Sequence, residues 1–185
     1  MKTLAIITQP ATEPLTLQEV KDYLKITVSD QDTYLTSLIV AVRQSLENYC
    51  SSSFINQTLR LSQDCFDSKQ ISLWKSPVSS ITSLKVFDTE NAESTISNTV
   101  YFLHDDFLNL NQNFSLDVTL RAFSGVQITY IAGYGSSASS VPQAIRQAIL
   151  EQINAICDCE CELNQICDKS KALLSSYIKY NHWSS

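Results

Sequence analysis

At 185 residues the chain fits one domain, or one domain carrying an insertion, and leaves no room for two large independent domains. Apolar residues at 44% beside charged residues at 17% exclude both a disordered chain and one built from long membrane spans. Thirteen Lys and Arg against nineteen Asp and Glu leave a formal charge of -6, which argues against gripping nucleic acid by displacing counterions from many phosphates.

The first element is a short apolar run, Leu4-Ala5-Ile6-Ile7, before Pro10. It falls below the roughly 7 to 15 apolar residues of a signal-peptide core, so the chain is expected to be made and kept in a cytoplasm. Pro10 and Pro14 mark an extended arm. Thr16 followed by Glu19 forms a capping box that opens a helix over Thr16 to Lys25, with Leu17, Val20 and Leu24 on one face. Ser29, Asp30 and Asp32 suit the positive end of a second helix. Leu35, Leu38, Ile39, Val42, Leu46 and Tyr49 then recur at helical spacing as far as Cys50, the strongest helical pattern in the chain.

From Thr58 the period changes to alternation: Leu59 and Leu61, Ile71 and Leu73, Ile81, Leu84 and Val86, then Val118 to Leu120, then Val126, Ile128 and Tyr130. Turns expected at 67–68, 76–77, 89–91 and 109–111 favour an antiparallel meander or small sandwich. The last strand ends at Gly133-Tyr134-Gly135, a Ser-rich loop follows, and Pro142 fits the first position of a helix whose Ile145, Ile149, Ile153 and Ile156 share a face. Lys171 to Ile178 predicts one more short helix. No period of roughly 20 to 50 residues repeats, so a solenoid is not expected. The fold class is therefore α+β: residues 1–56 and 136–185 form a helical unit, and 57–135 form an inserted antiparallel β module.

Material for catalysis is scarce. His104 precedes Asp105 and Asp106, yet no nucleophile motif accompanies it, and two acids after a strand read as a solvated turn. His182 lies near the chain end. Cys157, Cys159, Cys161 and Cys167 place four thiols within eleven residues, the ligand type zinc prefers, at a spacing that is wrong for the usual knuckle. Reduced thiols packed as small hydrophobes are the plainer account. Glycines only at 125, 133 and 135 exclude the standard phosphate-binding loops, and no cofactor is expected. Arg43, Arg60, Arg121 and Arg146 are scattered rather than gathered into a basic patch.

Three strings combine into a more specific pattern. Glu13 to Leu24, with Asp30-Gln31-Asp32 and the long helix after it, resembles the opening of tailed-phage head-tail connector (adaptor) proteins, a family that includes the adaptors of phage-derived gene transfer agents. Phe54-Ile55-Asn56-Gln57-Thr58-Leu59 is similar to the family's helix-to-strand junction. Ile128 to Gly135, continuing through Val141-Pro142 to Ile149, is similar to its strand, AGYG turn and Pro-initiated helix, and Lys171 to Tyr177 resembles its closing segment. The resemblance runs along nearly the whole chain, except for Ile156 to Cys167, where the cysteine cluster has no family counterpart.

The resemblance implies a structural, non-enzymatic role. Such adaptors form a ring, commonly of twelve subunits, under the portal protein at the capsid vertex. The ring offers a platform to a stopper or tail-completion protein, and DNA passes through it without specific binding. The expected location is the head-tail junction of a virion or phage-like particle assembled in a bacterial cytoplasm, with no membrane partner. Leu173, Leu174, Tyr177 and Trp183 are then expected to dock on the portal, although the first three could instead cap the protein's own helical core. Arg43, Glu47 and Arg146 are candidates for ion pairs between subunits. Two alternatives remain: a β module that binds a ligand or host surface, and a metal-binding protein using Cys157, Cys159, Cys161 and Cys167.

Overall fold

The computed structural model describes residues 1–158, 162 and 165–179. The fold is α+β, with the four α-helices and eight strands found among the described residues segregated into two compact units. One unit joins Pro10–Asn56 to the chain from Tyr134 onward, and the other joins Met1–Gln9 to Gln57–Gly133.

In the helical unit, α1 (Leu17–Leu24) is short and defined by its ends. Thr16 Oγ1 accepts from the Glu19 amide at 3.2 Å, Glu19 Oε2 accepts from the Thr16 amide at 2.8 Å, and Lys25 closes the helix in the left-handed region at φ 57°. The next helix, α2 (Asp32–Cys50), begins without the expected side-chain cap, because Gln31 is its N-cap. Asp32 instead accepts from Lys21 Nζ of α1 at 2.7 Å. Pro142 stands one residue before α3 (Gln143–Cys157), at ψ 139°, as N-cap rather than first helical residue. The last elements among the described residues are α4 (Asp168–Leu174) and the 3-10 turn Ser175–Tyr177.

The helical spacing read from the sequence becomes the core of this unit. Leu35, Leu38, Ile39, Val42 and Leu46 of α2 pack with Ile145, Ala148, Ile149 and Ile153 of α3, and Val20 and Leu174 join them. Each fully buried Leu or Ile contributes about 1.5–3 kcal/mol relative to exposure, so the α2 and α3 faces supply most of the cohesion.

The other unit holds two antiparallel sheets. The larger has the order β1-β2-β8-β4-β5, from β1 (Lys2–Thr8), β2 (Gln57–Gln63), β4 (Val78–Phe87), β5 (Glu93–Ile96) and β8 (Val126–Ala132). The smaller has the order β3-β7-β6, from β3 (Gln70–Ser72), β6 (Tyr101–His104) and β7 (Phe107–Leu110). Strict alternation along β2 and β8 sends Leu59, Leu61, Val126, Ile128 and Tyr130 inward, where they meet Ile71, Leu108 and Leu110 of the smaller sheet. This is the small sandwich rather than the meander.

Three strand expectations change. The first nine residues, assigned from the sequence to the helical unit, belong with the strands: Leu4 pairs with Leu61 and Ile6 with Leu59. They form the edge strand of the larger sheet and are mostly exposed, with Leu4 alone half-buried. Val118 to Leu120 is not a strand, and Leu120 makes only an isolated bridge to Asp88. Asn109 and Leu110, expected in a turn, end β7, because Leu108 and Leu110 both face the core.

Candidate functional site

The residues singled out for assembly lie mostly in the helical unit, where a set of polar locks ties its helices together. Arg43, halfway along α2, is 2% exposed. Its Nε and Nη2 donate to the two oxygens of Glu13 at 2.6 and 3.2 Å, and its Nη1 donates to Glu47 Oε2 at 2.8 Å. The other Glu47 oxygen accepts from the Phe54 amide at 2.7 Å, just beyond the end of α2. Burial by itself lowers the basicity of Arg43, but hydrogen bonds and charge from Glu13 and Glu47 outweigh it and the net shift is upward. This network pins the arm before α1 and the chain after α2 to the middle of α2.

A second lock joins α1 to α3. Arg146 Nε donates to the Pro14 carbonyl at 3.1 Å, and its Nη2 pairs with Glu19, the capping-box carboxylate. Hydrogen bonding from the Thr16 amide chiefly holds the Glu19 carboxyl below its usual range, with Arg146 adding to it. One turn further, the Tyr23 hydroxyl donates to Glu151 Oε1 at 2.9 Å.

These contacts correct the expectation for Arg43 and Glu47. Both are buried, with Glu47 3% exposed, and both spend their hydrogen bonds inside one protomer, so they cannot form ion pairs between subunits. Arg146 retains some exposure, yet its guanidinium is already held by Pro14 and Glu19. Spacing on a helix shows which charges share a face; it does not show that Glu13, thirty residues earlier, folds back onto Arg43.

The carboxyl-terminal segment is also part of the fold. Leu174 is fully buried in the helical core, and Leu173 and Tyr177 are half-buried against it. The Tyr177 ring meets Tyr134 edge-on at 6.4 Å. Ser170 Oγ donates to the Ala148 carbonyl at 2.8 Å, and the Lys179 amide donates to the Cys50 carbonyl at 3.0 Å. Leu174 is therefore a core residue and not a docking anchor. Trp183 lies outside the described residues, as does His182.

Of the cysteine cluster, Cys159 and Cys161 lie outside the described residues, while Cys157 and Cys167 are half-buried. Cys167 Sγ lies 3.1 Å from Ser170 Oγ, on the wall of a cleft of about 520 Å³ between α3 and α4 that also includes Glu151, Asp168 and Lys169. Among the described residues no group of three His, Cys, Asp or Glu is placed to hold a metal ion. Cys65 is exposed, and a hydrogen bond to Asp67 raises its thiol pKa, which disfavours the reactive thiolate.

His104 and Asp105 are both strongly exposed on the β6–β7 turn, 3.7 Å apart, with Asp105 at φ 51°. Asp106 serves structure, accepting from the Val78 amide at 2.9 Å. No side chain of this turn is positioned as a nucleophile for the imidazole. On the outer face of the smaller sheet, Phe102 and Phe107 stand beside His104 and Asn109, a pair of aromatics rather than a cluster. Among the described residues no helix is long and apolar enough to cross a membrane.

The sequence matches the family described as "Head completion protein" over residues 13–153. No curated protein matches it. The fold is similar to a chain in the neck of an empty GTA particle computed with C6 symmetry, at TM-score 0.78 and 18% identity, covering 99% of this chain and 98% of that one. It is likewise similar to a chain in the virion of a native gene transfer agent (GTA) particle, at TM-score 0.76 and 19% identity, with 99% and 98% covered. A chain in the neck of a native GTA particle computed with C12 symmetry matches at TM-score 0.75 and 18% identity, with the same coverage.

Proposed function

The chain belongs to the head completion protein family, and on that premise we propose that it is a structural connector at the head-tail junction of a tailed phage or gene transfer agent particle. In this reading, copies associate side by side into a ring beneath the portal protein, and the ring presents a platform to a stopper or tail-completion protein. The observation that carries it is the extent of the family match. It runs from the arm before α1, through β2 to β8, to the end of the α3 core face, and so covers most of both units rather than one element.

A ring of twelve copies is the stoichiometry assigned, in line with the C12 symmetry used for the neck of the native GTA particle whose chain has a similar fold. Side-by-side contacts that close on rotation require two different surfaces on each copy. DNA passes through the lumen, and a net charge of -6 suits a wall that must not hold the phosphate backbone. Portal docking falls to the carboxyl-terminal segment, to Trp183 and to the half-buried Leu173 and Tyr177. The role needs no cofactor and no reaction.

Native mass measurement of the chain, alone and mixed with the portal protein of the same particle, tests the reading. The full chain should form a ring or a portal complex, and removal of residues 180–185 should abolish the portal complex while leaving the fold intact. A full chain that neither self-associates nor binds the portal protein overturns it.

A further inference from the structure

Four arginines occur in the chain, and three of them are engaged within it: Arg43 with Glu13 and Glu47, Arg121 with the Ser124 carbonyl, and Arg146 with Glu19. The fourth, Arg60, is different. It sits at the centre of β2, half-buried on the face of the larger sheet turned away from the sandwich core. Its Nε is shut off from solvent and has no acceptor, and no carboxylate among the described residues pairs with it.

The register explains why. Arg60 lies opposite Ala5 of β1 and Thr129 of β8. Its neighbours on the same face are Thr58, Ser62, Gln127 and Ile131, none of them acidic. Of the other cations on this face, Lys85 on β4 is neutralised by Glu93 at 2.6 Å, and Arg121 lies over the Phe87 ring and donates to Asn91 and to the Ser124 carbonyl. The Arg60 guanidinium thus stands without an ion pair among Thr58, Ser62, Thr129, Gln127, Ala5 and Ile131. A buried N–H without an acceptor is costly, and the planar guanidinium fork is shaped for a two-point bond to a carboxylate.

The geometry points to this face as one half of a contact between copies of the chain, with Arg60 receiving an Asp or Glu carboxylate from the neighbouring copy. This rests on the ring reading above. Charge complementarity selects the occupant: a chain of nineteen acids and thirteen bases presents carboxylates to its own copies. Duplex DNA is a poor fit, because a phosphate-binding surface gathers several free cations, whereas here Lys85 is paired with Glu93 and Arg121 is held by Asn91, the Ser124 carbonyl and the Phe87 ring. The contact is heterologous, with the Arg60 face of each copy meeting a different, acidic surface of the next.

Association is to be measured by sedimentation over a range of concentrations for the wild-type chain, Arg60→Gln and Arg60→Lys, with thermal melts to establish that each variant is folded. Arg60→Gln should weaken association by at least roughly tenfold, the size expected when one partner of a desolvated charge pair is removed. Carbodiimide treatment of Arg60→Lys, in a mixture of isotopically light and heavy chains, should join position 60 to an Asp or Glu of a second copy. Equal association of wild type and Arg60→Gln overturns the inference and leaves the ring standing. A wild-type chain that stays monomeric, alone and with the portal protein, overturns the ring and the inference together. Arg60-dependent binding of duplex DNA with unchanged association also overturns it.

Discussion

Replacing Glu47 by Ala is expected to unfold the helical unit at markedly lower denaturant without touching any surface the protein shows to a partner. Two hydrogen bonds disappear together: the one from Arg43 Nη1 at 2.8 Å and the one from the Phe54 amide at 2.7 Å. A charge-assisted bond contributes about 1.5–3 kcal/mol, and an orphaned buried amide costs about 1–3 kcal/mol. Arg43 keeps both contacts to Glu13, so the loss stays near the lower half of that sum, about 2.5–4 kcal/mol. Glu47→Gln should cost less, about 1.5–3 kcal/mol, because the amide oxygen can still accept from Phe54 while its NH2 faces the guanidinium donors. Urea titration followed by far-UV circular dichroism is the assay, since every α-helix lies in this unit. Stabilities of both variants within about 0.5 kcal/mol of wild type would refute the reasoning. So would an unchanged unfolding curve accompanied by loss of self-association, which would return Glu47 to the subunit interface.

Leu174→Ala should destabilise the same unit by about 2–5 kcal/mol, as expected for a fully buried leucine, whereas a docking anchor would lose portal binding at unchanged stability. Gly135→Ala should lower stability by about 1–3 kcal/mol, because Gly135 has φ +156° and an added Cβ would lie 2.4 Å from Ser140 Oγ. Adding Ser140→Gly should recover part of that loss, and no recovery would show that backbone strain alone is responsible. The depressed Glu19 carboxyl makes a signed pH prediction: its stabilising contribution is present above the ordinary value of 4.5 and is lost as pH falls through the lower folded value. Glu19→Gln should therefore flatten the acid limb of stability against pH, and an unchanged limb would remove Glu19 from the account.

The helical unit was legible in the sequence because each of its signals is local. The Thr16–Glu19 box, the α2 stripe from Leu35 to Leu46 and the α3 stripe from Ile145 to Ile153 all sit within a few turns of chain, and all reappear as capped or core-facing residues. Strand alternation was legible for the same reason at Leu59–Leu61 and Val126–Tyr130. What the sequence hid is long-range. Nothing local to Lys2–Thr8 shows that its partner is β2, far along the chain at Gln57–Gln63. The two arginines show the same limit from both sides. Arg43 reads as an interface charge until Glu13 is seen folded against it, and Arg60 reads as an ordinary surface charge until its neighbours across the sheet are known. Leu174 likewise looks like an exposed anchor until α4 is seen packed on α3.

The most direct test of the connector role is made in the particle itself. Deleting the gene for this chain from its phage or gene transfer agent, and examining the products by electron microscopy, should give heads and tails that accumulate separately. Supplying the chain in trans should restore joined particles, with the chain found at the neck. Complete, tailed particles assembled without it would contradict the account.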